Sequence, residues 1–194
     1  MFSLHYKIDD VVNIEGKDYQ INGAFDSILK IIDVLRDKRL PKPNKLNICL
    51  KVLFGKDTDI IKYPLETQLD IFNSVFNEYI QPKEKPKQYD LQGNEMPVFE
   101  EDTKQSYSLK HDAEYIYSSF MQAYRIDLIE EQGKLHWFKF KALLNGLPED
   151  TKFSQVVSIR TWKKPSTNSK NSEETQMKKL QEIYALPEEE SEGE

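Results

Sequence analysis

The chain has 194 residues, of which 38% are hydrophobic and 31% charged, enough to bury an ordinary core in one domain with an appendage or in two small ones. Its formal net charge of −6, and the lack of any run of Lys or Arg, argue against a nucleic-acid binder, because neutralising phosphates needs a concentrated basic face. Cys49 is the only cysteine, which rules out an intrachain disulfide, and no stretch approaches the ~18 apolar residues of a membrane span.

The first segment, MFSLHYKIDDVV, lacks the basic-then-apolar order of an export signal, so a cytosolic protein without a membrane partner is expected. Val11, Val12 and Ile14, the turn Glu15-Gly16-Lys17-Asp18, and Tyr19 to Ile21 read as two short strands of a hairpin. An isolated hairpin is marginal in water, so this one must pack on helices or pair at its edge, which makes it a candidate for self-association. Phe25, Ile28, Leu29, Ile32 and Leu35 keep helical spacing, and Pro41 and Pro43 are expected to end that helix. Asn44 is the expected cap of a deeply buried helix carrying Leu46, Ile48, Cys49, Leu50 and Leu53, with Gly55 at its end. Cys49 in that company reads as a small core residue, since a reactive thiolate needs a cation or a helix N-terminus. Pro64 opens a further helix whose Leu65, Leu69, Phe72, Val75, Phe76 and Tyr79 recur at three and four, to about Ile80.

At Gln81 the composition changes: proline and mixed charge dominate and apolar residues thin out, the pattern of a linker or long loop. From Asp112 the aromatics concentrate. Ala113, Ile116, Tyr117, Phe120, Met121 and Tyr124 form one apolar stripe with Asp112 as its cap. Leu135, Trp137, Phe138, Phe140, Leu143, Leu144 and Leu147 form a second, stopped by Gly146 and Pro148. Asp150 or Thr151 opens a third, with Phe153, Val156, Val157 and Ile159. A polar spacer then precedes Glu173 to Leu186, whose Met177, Leu180, Ile183 and Tyr184 keep helical spacing but would be only marginally helical alone. The reading is a mainly α-helical protein: residues 1–80 as hairpin plus three helices, 81–108 as linker, 109–164 as a three-helix aromatic unit packed on the first part, and 165–194 as a disordered or marginally helical acidic tail.

Chemistry is sparse. His5, His111 and His136 have no metal-ligand spacing with one another or with Cys49, and the seven glycines form no phosphate-holding loop, so no metal, cofactor or small-molecule substrate is expected. An enzyme would have to use His136 and Asp127 as an acid–base pair, without the signatures of a pocket around them. Asp127, between Ile126 and Leu128, instead suits a helix cap or an ion pair with Arg125 or Arg160, and Arg160 suits an anchor for the third aromatic helix.

One long motif goes further. Tyr115-Ile116-x-x-Ser119-Phe120, Tyr124-x-Ile126-Asp127-Leu128, Leu135-His136-Trp137-x-x-Phe140-x-Ala142-Leu143-Leu144-x-Gly146-Leu147-Pro148-x-Asp150-Thr151-x-Phe153 and Ile159-Arg160 together resemble the bacteriophage gene-product-15 family of phages and prophages of Gram-positive bacteria. The resemblance runs from about Tyr6 to Arg160 and leaves the extension past Pro165 outside. Where the family carries a small residue, often glycine, this chain has Arg125, which a left-handed backbone would strain. What the resemblance implies is a non-enzymatic tail assembly chaperone of long, non-contractile phage tails, acting in the cytoplasm of the bacterial host. It would bind the tape measure protein before the tail tube polymerises, with Tyr124, Trp137 and Phe138 as candidate exposed contacts. A tail-completion or other interaction module retained in the virion is the alternative.

Overall fold

The computed structural model describes residues 4–79, 106–164 and 171–187. The expected linker therefore lies outside the described residues up to residue 105, as does the acidic end after Pro187. The described elements are, in order, β1 (Val11–Ile14), β2 (Lys17–Gln20), α1 (Phe25–Arg36), α2 (Lys42–Phe54), a 3-10 turn (Asp59–Lys62), α3 (Leu65–Tyr79), α4 (Ala113–Tyr124), α5 (Trp137–Asn145), α6 (Lys152–Thr161) and α7 (Asn171–Ile183). The protein is mainly α-helical with an antiparallel N-terminal hairpin, as the periodicities require.

These elements fall into two compact units that do not follow chain order. One takes the described residues of Met1–Pro86 together with Ile129–Leu143; the other takes those of Lys87–Leu128 together with Leu144–Glu194. The sequence pattern grouped 109–164 as one aromatic unit, but backbone hydrogen bonds draw its middle into the N-terminal unit. Phe25 N donates to Leu135 O at 2.9 Å, Trp137 N donates to Gly23 O at 2.8 Å, and Gly133 N donates to Asp26 Oδ1 at 2.8 Å. Ala24 and His136 thereby form an isolated antiparallel bridge.

In the first unit the hairpin turns at Glu15 and Gly16, whose φ values of 49° and 82° match the two positive-φ positions of a type I′ turn. Val12 pairs with Tyr19 and Ile14 with Lys17. The hairpin docks on the end of α2, where Tyr19 meets the Phe54 ring edge-on at 6.2 Å and Asn22 N donates to Leu53 O at 2.7 Å. Helix α2 starts at Lys42, after Pro41, and places Pro43 in its first turn, where a missing N–H costs nothing. The prolines expected to close α1 thus open α2, and Asn44 lies inside the helix instead of capping it. Leu46, Cys49, Leu50 and Leu53 are buried while Ile48 remains 37% exposed, so α2 buries one face and is not enclosed all round. Burial pushes the Cys49 thiol up to about 11, in keeping with a core residue.

In the second unit α4 and α7 both pack on α6. Thr151 holds the N-cap position of α6, and its hydroxyl donates to Pro148 O at 2.7 Å. The buried Ser119 Oγ of α4 accepts the Phe153 N–H at 3.0 Å, one of the donors that a helix start leaves over. Helix α7, expected to be only marginally helical alone, docks on α6. Gln181 Nε2 donates to Ile159 O at 2.9 Å and Trp162 O at 3.0 Å, carbonyls left over at the end of α6. Tyr184 Oη accepts from Lys152 Nζ at 2.6 Å while its ring meets Tyr115 edge-on at 6.2 Å. A segment marginal by itself is held by docking.

Helix α4 ends at Arg125, whose φ of 55° and ψ of 33° are left-handed and whose N–H donates to Met121 O at 3.1 Å. A left-handed residue closing a helix is usually glycine, and Arg125 carries a strain of about 1 kcal/mol there.

Candidate functional site

The start of α5 and the chain before α1 form the most constrained polar site in the first unit. Gly23 lies so close to His136 that a Cβ there would stand 2.5 Å from Nε2 and 3.1 Å from Asp10 Oδ1. His136 Nδ1 accepts the Phe138 N–H at 3.0 Å, which leaves the neutral ring's proton on Nε2, facing Asp10 Oδ1 at 3.0 Å. Both ring nitrogens are thus engaged, and the ring ties α5 to a segment 126 residues earlier in the chain. Asp26 adds a second tie. Burial pushes its carboxyl up, but Lys30 and the Gly133 N–H outweigh that and hold it below the usual carboxylate range.

Beside this pair opens a cavity of about 730 Å³ whose lining residues include His136, Asp10, Gly23, Ile21, Lys7, Lys134 and Lys139. Leu4 and Tyr6 also line it and are 93% and 81% exposed, so they stand at its mouth.

The expected contact residues separate. Trp137 is 4% exposed and stacks on Phe140 at 5.6 Å, and Phe140 stacks on Phe25 at 4.9 Å. Trp137 is therefore a core residue, not an exposed contact, and each stacked pair contributes about 1 kcal/mol beyond area burial. Phe138 is half-buried against the His136 ring at 4.9 Å. Lys141 Nζ lies over both rings, 5.3 Å from Trp137 and 5.5 Å from Phe138, and burial lowers its pKa. Tyr124, in the second unit, is half-buried with its ring edge-on to Phe120 at 5.6 Å.

Asp127 accepts a hydrogen bond from Tyr117 Oη at 3.0 Å. The bidentate partner of Arg160 is Asp112, with both N–H···O distances 2.7 Å. Asp112 occupies the N-cap position of α4, but its carboxylate makes no capping bond; it is 1% exposed and turned inward to Arg160 and to the Ser108 N–H at 2.8 Å. Arg160 also donates from Nε to Tyr184 O at 2.5 Å and from Nη1 to Ser106 O at 3.3 Å, so one guanidinium fastens α6 to the residues around both α4 and α7. Sequence reading missed Asp10, Gly23 and the Asp112–Arg160 pairing. A glycine just before a helix start was the one local signal, and it does not say which side chain needs the room.

Among the described residues no group of three or more His, Cys, Asp or Glu is placed to hold a metal ion, and no helix is long and apolar enough to cross a membrane. What fold and site define is a mainly helical protein with a hairpin, whose tightest polar clusters fasten segments of chain to one another. The chain belongs to the bacteriophage Gp15 protein family, which matches residues 5–186. That places it among phage structural or assembly proteins, and the match takes in α7, beyond the limit at Arg160 that the motif alone suggested. Neither a curated protein nor a solved structure matches the chain.

Proposed function

We propose that this protein is a tail assembly chaperone that binds the tape measure protein during assembly of a long, non-contractile phage tail, in the cytoplasm of the bacterial host and without catalysis. The observation that carries the reading is family membership over residues 5–186. Three others support it. The described residues place both nitrogens of His136 and the Asp127 carboxylate in hydrogen bonds that tie the fold together. Leu65 and Leu69, one turn apart on α3, are 55% and 43% exposed, apolar surface of the kind that receives an amphipathic helix. Val11 on β1 is 45% exposed, which suits self-association along the hairpin edge.

Co-expression with a tape measure protein from the same phage tests the reading. A chaperone raises the yield of soluble tape measure protein and co-purifies with it; unchanged solubility and no complex overturn the proposal. Mass spectrometry of purified particles then separates a chaperone, which is missing from the mature virion, from a tail-completion or interaction module, which is retained.

A further inference from the structure

We propose that the cavity beside His136 binds an acidic peptide segment through side-chain carboxylates. The inference stands apart from the assembly reading, because it rests on the cavity alone. Three lysines, Lys7, Lys134 and Lys139, line that cavity, against one carboxylate, Asp10, which already faces the His136 Nε2 proton at 3.0 Å. Lys134 Nζ donates to Glu130 O, in the turn before α5, at 2.8 Å, whereas Lys7 and Lys139 meet no carboxylate among the described residues. A concave surface with that balance stands out in a chain of net charge −6. Concavity concentrates the field of the lysines and attracts negative groups from solution.

The mouth narrows the chemistry. Leu4 and Tyr6 are exposed apolar side chains beside the lysines, and Ile21 lines the cavity wall, so the site offers apolar contact and positive charge together. A peptide that alternates acidic and apolar side chains uses both. A nucleic acid would need more phosphates neutralised than three lysines supply, against the repulsion of an acidic chain. The His136–Asp10 contact and the backbone of Gly23 give the site a fixed wall, since any side chain at Gly23 would displace the ring.

Fluorescence anisotropy of the full chain tests this with three labelled probes: a peptide of Glu, Leu and Ala, the same peptide with every Glu replaced by Lys, and an oligothymidine. The expected result is saturable binding of the acidic peptide alone, weakening as salt rises. The double variant Lys7→Glu/Lys139→Glu should weaken it roughly tenfold, while Lys62→Glu, a reversal on the 3-10 turn, should leave it within about twofold. Thermal unfolding confirms that each variant is folded, and Lys7→Gln/Lys139→Gln replaces the double reversal should that one not fold. Absence of acidic-peptide binding, equal binding of both peptides, preference for oligothymidine, or an unchanged affinity in the folded double variant each overturn the proposal.

Discussion

Asp112→Ala removes the carboxylate that takes two N–H groups of Arg160 at 2.7 Å each, and leaves a guanidinium whose side chain is only 11% exposed. Breaking a buried pair by deleting one partner costs about 3–5 kcal/mol, because the survivor stays desolvated. Arg160 retains Ser106 O and Tyr184 O as acceptors, so this variant should fall near the lower end, about 3 kcal/mol. Arg160→Met is worse. It strands a carboxylate that is 1% exposed with the Ser108 N–H as a remaining donor, and it releases the Tyr184 carbonyl that helps to hold α7, for about 4 kcal/mol. The double variant Asp112→Leu/Arg160→Met leaves no buried ion, so its cost should stay below about 2 kcal/mol. The two sites are then coupled by several kcal/mol, a large share of a total stability of about 5–15 kcal/mol. Urea unfolding followed by circular dichroism measures the cycle, and hydrogen exchange of α4 and α6 amides assigns the loss to the second unit. Additive single costs, or an Asp112→Ala chain within about 1 kcal/mol of the parent, would refute the reasoning.

Gly23→Ala should cost about 2 kcal/mol, because its Cβ would stand 2.5 Å from His136 Nε2 and turn the ring away from Asp10; an unchanged thermal midpoint contradicts this. Arg125→Gly should raise stability by up to about 1 kcal/mol by relieving a φ of 55°, read as a higher urea midpoint with an unchanged slope. Glu174 is held at about 2, against an ordinary 4.5, by Lys164 and Lys178. Its folded pKa is depressed, so the stability it lends is complete above pH 4.5 and lost as pH falls towards 2. The protection factors of α7 amides, taken against their intrinsic exchange rates, should therefore fall over that range, and Glu174→Gln should flatten the response. With its pKa raised from 9.0 to about 11, Cys49 should react with a thiol reagent about a hundredfold more slowly in the folded chain than in urea from thiolate fraction alone, and more slowly still through occlusion. Rapid labelling of native protein would place the thiol at the surface.

Much of the local structure was legible because its causes are local. The 3.6-residue recurrence of Ile116, Phe120 and their neighbours, the Glu15-Gly16 turn, Gly55 after α2 and Pro64 before α3 each act within a turn or two of chain. The resemblance marked Arg125 as strained should its backbone be left-handed, and its φ is 55°. Where such signals misled, two neighbouring elements competed for one residue. Pro41 and Pro43 are equally able to follow one helix or open the next, and Asp112 had a local N–H to cap but a buried guanidinium to neutralise.

What the sequence by itself determined is the inventory: helices, a hairpin, which faces are apolar, and, through the long aromatic motif, the family. Tertiary structure alone decided that Ile129–Leu143 joins the N-terminal unit, that Arg160 pairs with Asp112 across 48 residues, and that Gly23 lies under His136. The reason is physical. Hydrophobic periodicity fixes the direction in which a residue is buried but is indifferent to what it meets there, whereas ion pairs and backbone bridges depend on atoms brought within about 3 Å by the whole chain. Trp137 shows the difference: spacing put it in an apolar stripe, but its stack on Phe140, which in turn stacks on Phe25, was visible only once α5 lay beside α1.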